Sequence, residues 1–405
     1  MKSLLSIFVL MLAFQAQARV EALFHPYDPT LEKIALWISE ANSTVDIAMY
    51  NMETGPSSPV IQAIASPAVQ ARLQSGELKI RLLFEGYGLA SEKAEKMRAL
   101  ENLGLDVRYL GKSVKVHHKF AVIDSRLASD RVISGSANWS LSSYRNYNEN
   151  ILFFNQEREI TSEFQNEFDR LWKAAKEFGR VDEEAKSEQD HLPQVDQRDV
   201  EVHFNSGRTL NKGIASAEIT ESLVSLIDQA QSEILVASTR VRRTAVLEAL
   251  SRAANRGVQI RLVISQDDYR DLNKRADYLL NNPNLQLRVK IYNLKVADYM
   301  TFQMHNKFMV VDGKTLFTGS FNWSDSSEYN HIENVMELSG TLGAEVIPTY
   351  QNQFEKLWNL GRNQYTPLLE SLKRQEHKGC GMPAMALSAK EAKVLFSLGR
   401  GCGSR

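Results

Sequence analysis

The sequence predicts an α/β protein made by tandem duplication: two domains, each a mixed β-sheet flanked by helices, related by a pseudo-twofold with equivalent loops facing one another. Three observations predict it. Segments recur in the same order about 180 to 190 residues apart, a domain-scale period. Within each copy, short apolar runs alternate with stretches of helical periodicity, the pattern of a sheet covered by helices. The 405 residues, 43% hydrophobic and 24% charged, suffice for two ordinary globular domains.

Residues 1–18 read as an export signal. Lys2 supplies the positive start, Leu4 to Phe14 the apolar stretch and Ala16-Gln17-Ala18 the small-x-small cleavage site. The apolar stretch is well short of the roughly 20 residues needed to span a bilayer, and nothing later approaches that length. The expectation is therefore an exported protein, periplasmic or extracellular, with no transmembrane segment.

The first domain is expected over 19–178. A helix carrying Ile34, Leu36, Trp37 and Ile38 precedes the strand Thr44 to Met49, and a second strand covers Ile80 to Phe84. A linker follows over 179–199, dense in Glu, Asp and Gln without apolar periodicity. The second domain, 200–366, repeats the order with a helix carrying Leu223, Leu226 and Ile227, the strand Glu233 to Ala237 and the strand Ile260 to Ile264. Each copy closes with an amphipathic helix, FQNEFDRLW from Phe164 and YQNQFEKLW from Tyr350; Trp172 and Trp358 on them read as core. Residues 367–405 read as an appendage. It holds both cysteines, Cys380 and Cys402, an expected disulfide around a short helix that starts at a capping box, Ser388 with Glu391.

Between the second strand and the closing helix of each copy lie the most similar segments. VHHKFAVID (Val116 to Asp124) matches MHNKFMVVD (Met304 to Asp312), and GSANWS from Gly135 matches GSFNWS from Gly319. His118 becomes Asn306, so that second histidine lies outside what the duplication kept. On a period-two strand His117 and Lys119 share one face, as do His305 and Lys307. A phosphodiester needs its anionic oxygens neutralised, a nucleophile at phosphorus and a proton for the leaving oxygen, and two His-Lys pairs supply all three. Ser136, Asn138, Ser320 and Asn322 are candidate donors to phosphate oxygens. Glu149 and Glu333, at matched distances downstream, are candidates to bond the far imidazole nitrogens and fix their tautomer. Asp124 and Asp312 end their strands and are read as orienting neighbouring groups. A metal centre and a cofactor are not expected. A lysine ammonium beside each histidine repels a dication, and two lysines bring the charge a metal would supply.

The paired H-x-K-x-x-x-x-D motifs, each followed by G-S-x-N-W-S and then E-N, resemble the HKD motif of the phospholipase D superfamily to about Trp358. The resemblance implies one active site at the interface of the halves. It assigns a phosphohistidine intermediate on His117, acid and base work to His305, phosphoryl binding to Lys119, Lys307, Asn138 and Asn322, and sufficiency of a monomer.

The substrate is less determined. The Trp-containing variant of the motif, at Trp139 and Trp323, is similar to the nucleases of the superfamily and points to nucleic acid. A phospholipase D or phosphatidyltransferase is the alternative, and an inactive binding protein a further one, disfavoured because both motifs are intact. Lys plus Arg number 48 against 49 for Asp plus Glu, so any recognition of a polyanion must be local. Arg240, Arg242 and Arg243 are a candidate patch or a solvated turn. His25, His191, His203, His331 and His377 have no repeat partner and receive no role.

Overall fold

The computed structural model describes residues 19–86, 91–111, 114–179, 192, 199–210, 217–275, 277–294 and 303–399. The expected signal segment, nearly all of the linker and Cys402 lie outside them, and with them the proposed Cys380–Cys402 pairing.

Two sheets of the same topology form the chain. In the first, the spatial order is Val20–His25, Tyr147–Asn155, Arg131–Gly135, Lys119–Ile123, Thr44–Met49, Lys79–Phe84, Asp106–Tyr109 and Lys176–Glu177. The second runs Val200–Phe204, Asn334–Leu338, Thr315–Gly319, Lys307–Val311, Glu233–Ser238, Gln259–Ser265, Leu285–Asn293 and Gly381–Ser388. In each, the fifth, sixth and seventh strands are parallel and the rest of these pairings antiparallel, which makes the sheets mixed as expected. Register sets the functional end: Met49 pairs with Lys119 and Ser238 with Lys307, so both motif lysines stand where the parallel strands end.

The last strand corrects the reading of 367–405 as an appendage. Gly381–Ser388 pairs antiparallel with Leu285–Asn293, the same position that Lys176–Glu177 takes beside Asp106–Tyr109 in the first sheet. The eighth strand is thus part of the repeat. Periodicity did not show this because GMPAMALS runs Met, Pro, Ala, Met, Ala and Leu in succession, without the alternation of a half-buried strand. The capping box is present at Ser388 and Glu391, and Ala389–Leu398 is the helix it opens.

Three apolar cores follow from this layout. One lies under the first sheet, around Ile34, Ile47, Leu82 and Trp139. Another lies under the second, around Leu223, Val236, Leu262 and Trp323, and includes Met385, Leu387 and Leu395 of the tail. The third belongs to both halves: Phe120, Phe154, Phe164 and Trp172 from the first pack with Phe308, Met336, Tyr350 and Trp358 from the second. Alternation along one strand produces it, since Ala121 and Ile123 join the outer core while Phe120 and Val122 face the shared one.

Polar side chains register the two halves inside that shared core. Asn150 Nδ2 donates to Thr318 Oγ1 at 2.8 Å and to the Tyr350 hydroxyl at 3.0 Å, and Asn334 Nδ2 donates to Ser134 Oγ at 3.0 Å. Buried amides without such partners would cost about 1–3 kcal/mol each, so the halves dock in one orientation. No helix among the described residues is long and apolar enough to cross a membrane.

If the tail completes the second sheet, Leu387→Ala lowers unfolding free energy by about 2–5 kcal/mol in urea denaturation. Leu398, 41% exposed, serves as the control whose truncation leaves stability nearly unchanged.

Candidate active site

Each motif histidine lies just before its strand, at a break in the backbone pairing. Lys115–Val116 pairs with His331–Ile332 and Gln303–Met304 with Tyr147–Asn148; in both cases the partner belongs to the other half. The backbone N–H of His117 then donates to Ile332 O at 3.0 Å, and that of His305 to Asn148 O, also 3.0 Å. The residue that follows each of these carbonyls is a glutamate, which brings it to the imidazole of the opposite half.

The carboxylates therefore cross over. Glu333 Oε2 lies 2.8 Å from His117 Nδ1, and Glu149 Oε1 lies 2.7 Å from His305 Nδ1. Both glutamates are fully buried. This is the role expected of Glu149 and Glu333; that each serves the other copy's histidine was not legible in the spacing. Nε2 of both rings has no protein partner among the described residues. Two imidazoles with their tautomers fixed are thus presented beside two ammonium groups. Lys119 Nζ donates to His117 O and Lys307 Nζ to His305 O, each at 2.6 Å.

Ser136 and Ser320 depart from expectation. Ser136 Oγ donates to Glu149 Oε2 at 2.7 Å and Ser320 Oγ to Glu333 Oε2 at 2.6 Å, so the hydroxyls hold the carboxylates instead of a phosphate. The glycines before them are needed for the approach of the glutamate-bearing strands: a Cβ on Gly135 would stand 2.2 Å from Asn150 O, and one on Gly319 the same distance from Asn334 O. Asn138 and Asn322 remain candidates for phosphoryl oxygens, since neither side chain makes a hydrogen bond among the described residues.

Asp124 and Asp312 orient neighbouring groups, as read, but those groups lie far from the reaction. They end the strands at the edge away from the histidines, roughly 20 Å along an extended chain, in the left-handed conformation with φ of 52° and 53°. Aspartate tolerates that conformation better than most residues. Asp124 accepts the backbone N–H groups of Asn42, Ser43 and Thr44, and Asp312 those of Gln231, Ser232 and Glu233. The third letter of each motif ties the strand to the loop before its neighbour and touches no reacting group.

Burial sets the electrostatics. It pushes His117 well below its ordinary value, against the pull of Glu333 and with the help of Lys119; His305 is lowered in the same way. Lys119 is brought down to about 7 by burial, with Lys307 adding repulsion and Glu333 opposing it, and Lys307 is brought to about 8. Burial works to raise the glutamates, but His117 holds Glu333 well below the carboxylate range, and His305 with its hydrogen bond does the same for Glu149. The resting site therefore pairs two carboxylates with two ammonium groups around neutral imidazoles.

Residues beyond the expected set also line the site. The Tyr50 ring lies 4.9 Å from that of His117, the His331 ring 5.3 Å from His117, and the Tyr147 ring 5.7 Å from His305. Aligning the repeats places Tyr147 opposite His331, two residues before each glutamate, and that was the available signal. His117, His331 and Glu333 bring ligand atoms within 4.8 Å of one another. The contact between His117 Nδ1 and Glu333 occupies the position a cation would take, and the Lys119 ammonium bears on the same ring. Of the three arginines, Arg242 pairs with Asp268 and Arg243 with Asp325; Arg240 acts on Lys307. His118, read as ordinary, is a buried tie between the halves, with Nδ1 3.0 Å from Asn334 Oδ1 and Nε2 3.2 Å from Glu167.

One pair distinguishes the His305 side. The carbonyls that hold the histidines belong to Ile332 and Asn148. Ile332 shares the central apolar core with Leu110; by strand register Leu110 corresponds to Lys290, and Lys290 Nζ donates to Asn148 Oδ1. An apolar contact under one histidine is a buried ammonium–amide contact under the other.

Comparison with known proteins agrees with this geometry. Residues 34–172 and 223–358 each match the family described as cardiolipin synthase, PLD-like domain. The mitochondrial cardiolipin hydrolase of Mus musculus is 34% identical over 124 residues, 31% of this chain and 49% of that protein. The phospholipase D of Rickettsia prowazekii is 28% identical over 147 residues, 35% of this chain and 63% of that one. The chain thus spans about half the length of the first of these relatives and somewhat more of the second. The phosphatidylserine synthase of Haemophilus influenzae shares the fold at a TM-score of 0.58 and 12% identity, over 84% of this chain and 87% of its own.

Two measurements check the assignments. Glu333→Gln and Glu149→Gln each lower kcat by about 10²-fold or more, whereas Asp124→Ala leaves kcat nearly intact and lowers unfolding free energy by about 1–3 kcal/mol. For the free enzyme, kcat/KM falls as pH rises through about 7, where Lys119 loses the proton that binds phosphate, and about 8, where Lys307 follows. Lys119→Arg shifts that limb to higher pH.

Proposed function

The chain belongs to the phospholipase D superfamily, and from that premise we propose that it is an exported phosphodiesterase that cleaves nucleic acid through a phosphohistidine. The observation that carries the chemistry is the crosswise pairing of Glu333 with His117 and Glu149 with His305. It leaves two Nε2 atoms of fixed tautomer beside two ammonium groups. His117 Nε2 attacks phosphorus, the bond to the leaving oxygen breaks, and His305, which takes up a proton on Nε2 from solvent as the anionic phosphodiester enters, gives that oxygen its proton. His305, then neutral, takes a proton from water as the water oxygen attacks phosphorus and frees His117. The roles follow exposure: the His117 side chain is 7% exposed and that of His305 15%, so His305 is the better placed to meet water. Lys119, Lys307, Asn138 and Asn322 bind the phosphoryl oxygens.

Nucleic acid is supported by the ring beside His305. Tyr147, half-buried, offers a flat face on which a base stacks, worth about 1–3 kcal/mol. A phospholipid substrate is the second reading, supported by the names of the relatives, a cardiolipin hydrolase and a phospholipase D.

The test is turnover on single-stranded DNA, duplex DNA and cardiolipin vesicles in parallel, with EDTA present and with His117→Ala and His305→Ala as controls. The expected outcome is metal-independent cleavage of nucleic acid by a monomer, reduced by about 10⁴-fold or more in either variant. Turnover of the vesicles alone establishes the lipid reading, and loss of activity in EDTA overturns the mechanism.

A further inference from the structure

Away from the reactive centre, the outer face of each sheet's first two strands carries equivalent positions with different chemistry. In the first half Glu21 and Leu23 of the strand Val20–His25 lie on that face, and Phe153 stands directly opposite Glu21 on the neighbouring strand. Leu23 and Phe153 join the outer core. Lys33, from the helix Thr30–Ser39, lays its ammonium on the Glu21 carboxylate. The same ammonium is 4.9 Å from the centre of the Phe153 ring and 5.5 Å from that of Trp37. One carboxylate and one cation balance there.

In the second half, strand register and the alignment of the helices carry these positions to Glu201, His203, Glu337 and Ser222. Glu21 is kept as Glu201, whereas Leu23 has become His203, Phe153 has become Glu337 and Lys33 has become Ser222. The built-in ammonium is gone, and a second carboxylate and an imidazole have been added. Glu201 and Glu337 are direct cross-strand partners, an arrangement in which like charges repel. Among the described residues neither pairs with a lysine or an arginine. Both face His203, whose Nε2 lies 3.3 Å from Glu337 Oε1 and 3.8 Å from Glu201 Oε2. That nitrogen is out of contact with solvent and makes no hydrogen bond among the described residues. A proton on it would set one positive charge against two negative ones. Burial opposes even that charge, yet Glu337, Glu201 and Glu218 outweigh burial and raise the His203 pKa, so the position lies in a negative field.

We propose that Glu201, His203 and Glu337 bind a divalent transition-metal ion of the zinc type, which takes the place that the Lys33 ammonium fills in the first half and fastens the strand Val200–Phe204 to its neighbour. One imidazole and two carboxylates are a zinc donor set, and the imidazole selects against magnesium and calcium, which prefer oxygen alone. Bonds of about 2.0–2.2 Å at tetrahedral angles set donor atoms about 3.3–3.5 Å apart. The contacts of His203 with Glu337 and Glu201 are close to that spacing, and the ligand atoms of all three residues lie within 4.8 Å of one another. The Glu201 side chain is 70% exposed, so it closes the remaining gap at little cost and leaves a fourth position open to water. Ser222 Oγ donates to Glu337 Oε1 and orients that carboxylate, as outer partners of metal ligands do. Glu337 stands four residues along its strand from Glu333, roughly 13 Å, so the ion takes no part in the reaction. It steadies the strand that leads to Asn205, whose Oδ1 accepts the Glu333 N–H at 2.8 Å and whose Nδ2 donates to Ser327 O at 2.9 Å.

The experiment titrates the full chain, stripped of metal with EDTA and dialysed, with Zn²⁺ in a calorimeter, and reads Tm with and without the ion. His203→Leu and Ser222→Lys give the second half the residues of the first. The natural protein takes up one Zn²⁺ that His203→Leu binds about 10²-fold more weakly or not at all, and its Tm rises by about 3 °C or more at saturation. Mg²⁺ leaves Tm unchanged. Ser222→Lys supplies the cation from the chain itself, so it loses the Zn²⁺ response and its metal-free Tm moves toward that of the zinc-bound natural protein. Turnover of bis(4-nitrophenyl) phosphate in EDTA, below the metal-free Tm, is the same in all three proteins, which shows that both variants fold and that the ion is not part of the reaction. A natural protein that takes up no Zn²⁺ overturns the site and leaves His203 as a protonated bridge between two carboxylates. Uptake and a Tm shift undiminished in both variants also overturn it, since the ion then sits elsewhere, for example on His117, His331 and Glu333.

Discussion

Two carboxylates out of reach of water constrain the rest of this structure. Removing an ionised carboxylate from water costs several kcal/mol unless charge and hydrogen bonds replace the solvent. Glu149 and Glu333 meet that requirement only across the junction of the halves, Glu149 with the hydroxyls of Ser136 and Ser143 and Glu333 with that of Ser320 from their own halves, and each with one imidazole from the other. Neither half alone can bury its glutamate in this way. Docking through the shared apolar core and assembly of the reactive centre are consequently one event, and the amides of Asn150 and Asn334 set its geometry.

The same burial prepares the chemistry. An imidazole that must attack phosphorus has to be neutral, and desolvation depresses both rings while the carboxylates fix Nδ1. The lysines pay for that environment with lowered affinity for their own protons, so the site is poised between binding an anion and losing the charge that binds it. A phosphodiester entering the site supplies the missing negative charge and favours the protonated lysines.

Duplication has diverged pairwise, and each change makes sense as a coupled exchange. The buried His118–Glu167 contact of the first half corresponds to Asn306 and Gln353 in the second, an imidazole and a carboxylate replaced by two neutral amides. Leu110 and Ile332 correspond to Lys290 and Asn148, an apolar pair replaced by a polar one.

Local chemistry was legible without coordinates. Repetition of the motifs, the alternation of strand and helix and the capping box at Ser388 are properties of residues a few positions apart, and they determined the duplicated α/β architecture and the His and Lys pairs. Asp124 and Asp312 orient groups as read, but which groups was not legible, because adjacency in a motif implies adjacency in space only along the strand's length, and five residues of strand carry a side chain to the opposite edge. Ser136 and Ser320 misled because a hydroxyl near a phosphate site can serve its carboxylate instead. The tail misled because an edge strand of weakly apolar residues without alternation gains its structure from the neighbour it pairs with. Which glutamate reaches which histidine, and which rings flank each imidazole, depend on contacts between segments far apart in the chain. Those were decided only when burial of the shared core brought the halves together, since neither charge pairing nor ring contact leaves a trace in local spacing.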